Sequence, residues 1–127
     1  MVPVLQKTVD TYKFWQNGYA LFPRQLKFSL GMKIDSLFTQ VIESLLLARY
    51  ASQESKLPAL RETSAKLDLL KFFLQVAWEM KCLDNKKYGD LSALLNEIGR
   101  MVGAWQKDAQ KKQPSPDEGR VATTTRR

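Results

Sequence analysis

Residues 91–105, LSALLNEIGRMVGAW, indicate the fold class most directly. At about 100° per residue, its apolar side chains fall within an arc of roughly 120°, which predicts a helix with one core-facing stripe. That stripe comprises Leu91, Leu94, Leu95, Ile98, Met101, Val102 and Trp105. Asp84 or Asn85 can cap this helix by accepting a backbone N–H, so we expect it to cover about 86–112. No segment of the chain alternates apolar and polar residues as a strand does, so the predicted fold class is all-α.

Three further helices are predicted upstream, at about 3–19, 24–51 and 56–83. Pro23 separates the first two, because the residue before a proline avoids the α conformation. Pro58 is placed in the first turn of the third helix, where a missing N–H costs little. The apolar periodicity ends after the fourth helix, as is typical of disordered segments. We therefore expect an antiparallel four-helix bundle over residues 1–112 and a disordered basic tail over 113–127.

The second and third helices are apolar around too much of their circumference for a lone bundle. On the second helix the apolar arc widens to roughly 200°, and from Leu67 to Leu83 few polar residues interrupt the third. A four-helix bundle buries one stripe per helix, and large exposed apolar patches are uncommon on monomers. A symmetric homo-oligomer formed through these two helices is the simplest solution. The alternative is that the third helix is central in the bundle.

Small residues share a second face of the fourth helix: Ser92, Asn96, Gly99 and Gly103. A glycine inside a helix costs about 1 kcal/mol relative to alanine. We expect a compensating close approach by another backbone. The alternative is that both glycines are merely tolerated.

The composition excludes much of catalytic chemistry. The chain has no histidine and one cysteine, so it can build neither a Ser-His or Cys-His relay nor a disulfide framework. Its carboxylates are scattered, and its glycines form no phosphate-binding loop. Cys82 is interpreted as a small buried hydrophobe rather than a nucleophile. We therefore expect a non-enzymatic protein with no cofactor and no metal.

Positive charge concentrates at the two ends of the chain, whose net charge is +7. Residues 1–33 carry five basic residues and one acidic residue, residues 34–105 carry nine of each, and residues 106–127 carry six basic and three acidic. This asymmetry suits a polyanionic partner, because each lysine or arginine near a phosphate releases condensed counterions. The alternative is that the charges serve solubility alone.

The aromatic run near the start admits two interpretations. Tyr12, Phe14, Trp15 and Tyr19 could stack on nucleobases. Packing of the first helix onto the bundle is the interpretation that we favour.

Three motifs, in this order along the chain, resemble the accessory variability determinant (Avd) proteins of diversity-generating retroelements. They are Phe22-Pro23-Arg24 followed by Leu30-Gly31 and Ile34, the segment KLDLLKFFL at 66–74, and the segment EIGRMVGAW at 97–105. Together the resemblance covers residues 12–107, nearly all of the predicted bundle.

The resemblance implies a four-helix bundle that assembles into a basic, barrel-like homopentamer. It also implies a reverse transcriptase as partner, together with template RNA and an RNA/DNA hybrid, in adenine-biased mutagenic copying. The basic residues that fall in or beside the matched segments are the predicted binding residues: Arg24, Lys27, Lys33, Lys66, Lys71 and Arg100. Gln75 stands where relatives often have a second basic residue, so we expect a weaker grip on nucleic acid there.

No membrane partner is expected. The densest apolar run, LLLA at 45–48, falls far short of the roughly 20 residues that span a bilayer. The first residues lack the apolar core of a signal peptide, so we expect a cytoplasmic protein. The alternative function is that of a structural four-helix oligomer, related to the proteins encoded in ribosomal RNA intervening sequences, with no polymerase partner.

Overall fold

A computed structural model describes residues 3–112, and every regular element in that range is helical. The four helices are α1 (Pro3–Tyr19), α2 (Met32–Tyr50), α3 (Gln53–Glu79) and α4 (Asn85–Lys112). A short α-helical segment, Arg24–Leu26, and a π-helix, Lys27–Gly31, lead without a break into α2. The predicted all-α class is thus confirmed, while the predicted tail lies outside the described residues.

Neighbouring helices run in opposite directions, because residue numbers rise along one helix as they fall along the next. Two contacts show this for each pair of helices. α1 meets α2 through Tyr12 with Phe38 and Trp15 with Asp35, and α2 meets α3 through Ser44 with Thr63 and Gln40 with Lys66. α3 meets α4 through Lys71 with Gly99 and Trp78 with Tyr88, and α1 meets α4 through Lys7 with Glu97 and Phe14 with Lys87. The protomer is therefore an antiparallel four-helix bundle.

The core lies where the periodicity places it. Leu91, Leu95, Ile98 and Val102 of α4 are buried, and the other members of the predicted stripe are half-buried. Trp15 of α1 is fully buried, so the aromatic run packs into the bundle rather than presenting itself to bases.

The predicted bounds of the third helix are wrong at both ends. Ser52 caps α3 by accepting a 3.2 Å hydrogen bond from the backbone N–H of Ser55, so Pro58 lies in the second turn rather than the first. At the other end, Lys81 adopts a left-handed conformation with φ 64°, and the N–H of Cys82 bonds the carbonyl of Ala77. These contacts form a Schellman motif, which ends the helix at Glu79.

The surplus apolar surface predicted for the second and third helices is present. Phe28 and Leu46 on the second helix and Leu69 and Phe72 on the third are exposed in the protomer. α3 packs against α2 and α4, but each of the other three helices also packs against two neighbours, so α3 is not distinguished as a central helix.

Candidate functional site

The first two predicted binding residues lie where the second helix begins. Arg24 is exposed in the short segment before the π-helix, and Lys27 is the first residue of the π-helix and is half-buried. A π-helical turn leaves backbone carbonyls without their usual partners and often marks a functional site. Here the carbonyl of Lys27 accepts a 3.0 Å hydrogen bond from the hydroxyl of Tyr19.

Packing around Gly31 explains why the second motif contains a glycine. A Cβ placed on Gly31 would overlap Cε1 of Tyr19 and lie 3.3 Å from Cδ2 of Phe22. Tyr19 also stacks on Trp15, with ring centroids 5.2 Å apart. The aromatic cluster thus fixes the path of the chain between α1 and α2, and with it the position of Lys27.

Lys33 and Lys66 share the groove between α2 and α3. The ammonium group of Lys33 lies 5.8 Å from the ring centroid of Phe73, and Lys66 Nζ donates a 2.8 Å hydrogen bond to Gln40 Oε1. Lys33 and Gln40 are two turns apart on one helix, so the two ammonium groups are separated by about 10 Å along the groove. Within residues 3–112, neither lysine forms an ion pair.

An exposed apolar stripe runs along α3 beside this groove. We define the α3 stripe as Ala65, Leu69, Phe72, Val76 and Met80. Leu69, Phe72 and Met80 are 48%, 56% and 51% exposed. Spacings of three and four residues place the first four side chains on one side of the helix, and Met80 directly follows its last residue. Lys33 and Lys66 therefore border an apolar surface rather than an open polar one.

Lys71 and Arg100 lie elsewhere, so the structure does not bring all six basic residues together. Lys71 is directed into the opposite groove, where its Nζ would lie 3.3 Å from a Cβ on Gly99. Arg100 is exposed on α4. Gln75 is exposed and donates a 3.2 Å hydrogen bond to Glu79.

A family model described as bAvd-like matches residues 4–109. The chain belongs to the bAvd-like family. No curated protein matches it. The matched range contains all six predicted binding residues and the four helices, except for Pro3 of α1 and residues 110–112 of α4.

The small-residue face of α4 in this bAvd-like chain does not receive the backbone that its glycines predict. Among residues 3–112, no backbone approaches the two glycines: Gly99 faces the end of the Lys71 side chain, and a Cβ on Gly103 would meet no atom within 4 Å. The expectation of a close backbone approach is therefore wrong for this part of the protomer. At Gly99 the missing side chain instead makes room for a lysine.

A stacked aromatic pair in the bAvd-like chain, Trp78 and Tyr88, is not predicted from the sequence. Trp78 of α3 stacks on Tyr88 of α4, with ring centroids 4.9 Å apart and planes inclined by 9°. The pair spans the turn between two helices, so neither helix's own periodicity indicates it. A turn short enough to bring the two helix ends together is the one signal that the sequence offers.

Cys82 is buried, as expected, and burial raises the pKa of its thiol. A raised pKa keeps the thiol protonated and therefore poorly nucleophilic. Among residues 3–112, no group of three or more His, Cys, Asp or Glu side chains is placed to hold a metal ion. None of the described helices combines the length and apolar character needed to cross a bilayer.

Proposed function

We propose that this chain is a non-enzymatic, cytoplasmic accessory subunit of a diversity-generating retroelement. It holds the reverse transcriptase together with its template RNA and the RNA/DNA hybrid, and so supports adenine-biased mutagenic copying and diversification of a target gene. Membership of the bAvd-like family supports this role. The observation that carries the proposal is the pairing of Lys33 and Lys66 with the exposed α3 stripe.

In this proposal the α3 stripe joins copies of the chain. Its spacing of three and four residues is that of a seam along which helices pack on one another. An exposed stripe of leucine, phenylalanine and methionine is costly to leave in water, since burial yields about 25 cal/mol per Å². We propose a closed homo-oligomer, a barrel-like pentamer as the family resemblance implies.

Assembly then turns separate lysines into a continuous basic surface. Because Lys33 and Lys66 border the stripe, joining copies through it repeats both lysines around the oligomer. Repeated positive charge lined along one surface attracts a polyanion over long range. In this proposal Arg24 and Lys27 add positive charge at the start of the second helix. Lys71, in the opposite groove, and Arg100, on α4, add it away from the stripe.

RNA binding by matched charge variants tests the nucleic-acid part of the proposal. The double variant Lys33→Gln with Lys66→Gln removes both groove lysines. The control, Lys86→Gln with Lys112→Gln, removes the same charge from exposed lysines of α4 that pair with Asp90 and Asp108. If each groove lysine contacts one phosphate, the slope of log K against log salt falls by about 0.7 per lysine for single-stranded RNA. An equal loss in both variants would show a general charge effect and contradict the proposed site.

Co-purification with the reverse transcriptase of the same retroelement tests whether that polymerase is the partner. We expect the wild-type chain to retain the polymerase in a complex that withstands gel filtration. A chain that assembles but binds neither RNA nor polymerase would overturn the proposal and favour the structural oligomer related to ribosomal RNA intervening-sequence proteins.

A further inference from the structure

The turn between α3 and α4 presents a fixed aromatic face. The indole of Trp78 stacks on Tyr88 on one side, and its Nε1 donates a 2.8 Å hydrogen bond to Oδ1 of Asn85. These two contacts hold the ring in one orientation before any ligand arrives. Nevertheless, Trp78 remains 37% exposed.

A cavity of about 610 Å³ opens on this ring. Its lining residues are Trp78, Glu79, Lys81, Leu83, Asp84 and Asn85. Tyr88 is not among them and instead lines the neighbouring groove with Lys71. Because Tyr88 covers one face of Trp78, the opposite face is the one left for a ligand in the cavity. The cavity is open to solvent, and its volume is large enough to seat a small ligand.

The rim of the cavity is acidic in a chain of net charge +7. Glu79 accepts a hydrogen bond from the Gln75 side chain, and Asp84 accepts one from the backbone N–H of Lys87. Both donors are neutral, so they fix the carboxylates without cancelling their charge. Within residues 3–112, neither carboxylate forms an ion pair. Among the described residues that line the cavity, Lys81 is the one basic residue.

We infer that this cavity binds an arginine side chain of a partner polypeptide, which stacks on the open face of Trp78 between Glu79 and Asp84. A guanidinium is attracted to the face of a tryptophan ring and forms strong, paired hydrogen bonds with carboxylates. The same two carboxylates would repel the phosphates of a nucleotide, so the charge of the rim favours a cation over a stacked base. The volume admits the arginine together with its flanking backbone.

This site goes beyond the proposed function and uses none of its six basic residues. Failure of the inference therefore leaves the RNA-binding surface intact, and failure of RNA binding leaves this site intact.

Titration of the full chain with a short arginine-containing peptide tests the inference. The indole N–H resonance of Trp78, assigned by its loss in Trp78→Phe, reports occupancy of this site directly. The reference ligand is the same peptide with citrulline in place of arginine, which has nearly the same shape but no charge. We expect the citrulline peptide to bind at least 10-fold more weakly.

Two variants separate the contributions of charge and ring. Glu79→Gln with Asp84→Asn removes the rim charge while an asparagine can still cap α4, and we expect at least a 10-fold loss of affinity. Trp78→Leu removes the aromatic face, and we expect a loss of about 3-fold to 10-fold. The matched control is Glu43→Gln with Asp68→Asn, two exposed carboxylates outside the cavity lining, which should leave affinity unchanged.

Three results would overturn the inference. They are equal binding of the citrulline peptide, an equal loss in the control pair, and a Trp78 resonance that moves with a single-stranded oligonucleotide but not with the arginine peptide. The last result would make the cavity a base-stacking site. If Trp78→Leu fails to fold by circular dichroism, the charge variant decides the question.

Discussion

The hydroxyl of Tyr19 donates a 3.0 Å hydrogen bond to the backbone carbonyl of Lys27 and so joins the end of α1 to the first residue of the π-helix. The same ring covers Gly31, at the other end of the π-helical turn. One tyrosine thus bonds a carbonyl at the start of the π-helix and packs against the glycine at its end.

Replacing Gly31 with alanine should destabilise the fold. A Cβ there would overlap the Tyr19 ring, and overpacking of this kind costs about 1–3 kcal/mol. Chemical denaturation monitored by circular dichroism measures the loss. The control is Gly89→Ala, since Gly89 lies within α4 and a Cβ there meets no atom within 4 Å. Alanine at that position should stabilise the helix by about 0.5–1 kcal/mol. Equal effects at both positions would contradict the assigned role of Tyr19.

The buried hydroxyl pair between α2 and α3 should behave as a coupled unit. Ser44 Oγ and Thr63 Oγ1 lie 2.7 Å apart in the core. Ser44→Ala alone removes this contact, while Thr63 Oγ1 keeps its 3.0 Å hydrogen bond to the carbonyl of Ala59, so the loss should be about 0.5–1.5 kcal/mol. Thr63→Val combined with Ser44→Ala removes both polar groups, so the double variant should lose less than the sum of the single losses. A strictly additive double-mutant cycle would show that the two hydroxyls do not interact.

Stability should fall as the solution becomes alkaline. Burial, and then Asp35, raise the pKa of Tyr12, and burial raises the pKa of Tyr19 and of Cys82. The unfolded chain therefore loses these protons at lower pH than the folded chain. The stabilisation is fully present below the unfolded pKa of the thiol, about 8.5, and is lost as pH rises through the tyrosine range.

Urea denaturation at a series of pH values from 8 to 11 measures this loss. Tyr12→Phe removes one of the three groups, so the decline should be shallower in that variant. A free energy of unfolding that stays level or rises over this pH range would contradict the raised pKa values of Tyr12, Tyr19 and Cys82.

Local sequence signals predicted most of the fold. The spacing of Leu91, Leu95, Ile98 and Val102 identifies the buried side of α4, and Asp84 caps that helix through a 2.7 Å bond to the N–H of Lys87, as predicted. These features depend on residues close together in the chain. Periodicity and capping chemistry therefore suffice to find them.

What could not be predicted depends on contacts between distant segments. The π-helix of Lys27–Gly31 contacts Tyr19 of α1 at both of its ends, and these contacts are not visible in the local sequence. The bounds of α3 were wrong because Pro58 was interpreted as the start of the helix, whereas Ser52 caps it earlier. Lys66 and Lys71 are close in sequence, yet they enter opposite grooves, which becomes clear once the packing of α3 against α2 and α4 is known.

Assembly of copies through the α3 stripe is the proposal on which the basic surface most depends. The most direct test is the mass of the full chain in solution, measured by sedimentation at micromolar concentration for the wild type and for Leu69→Glu with Phe72→Lys, which keeps the net charge. Leu21→Lys, at a residue 81% exposed outside the stripe, is the control. For the wild type and the control we predict a mass that is a multiple of 14.6 kDa, with five copies expected. For the double variant we predict a single folded protomer. A wild-type mass of 14.6 kDa, or a double variant that assembles as the wild type does, would contradict assembly through the α3 stripe.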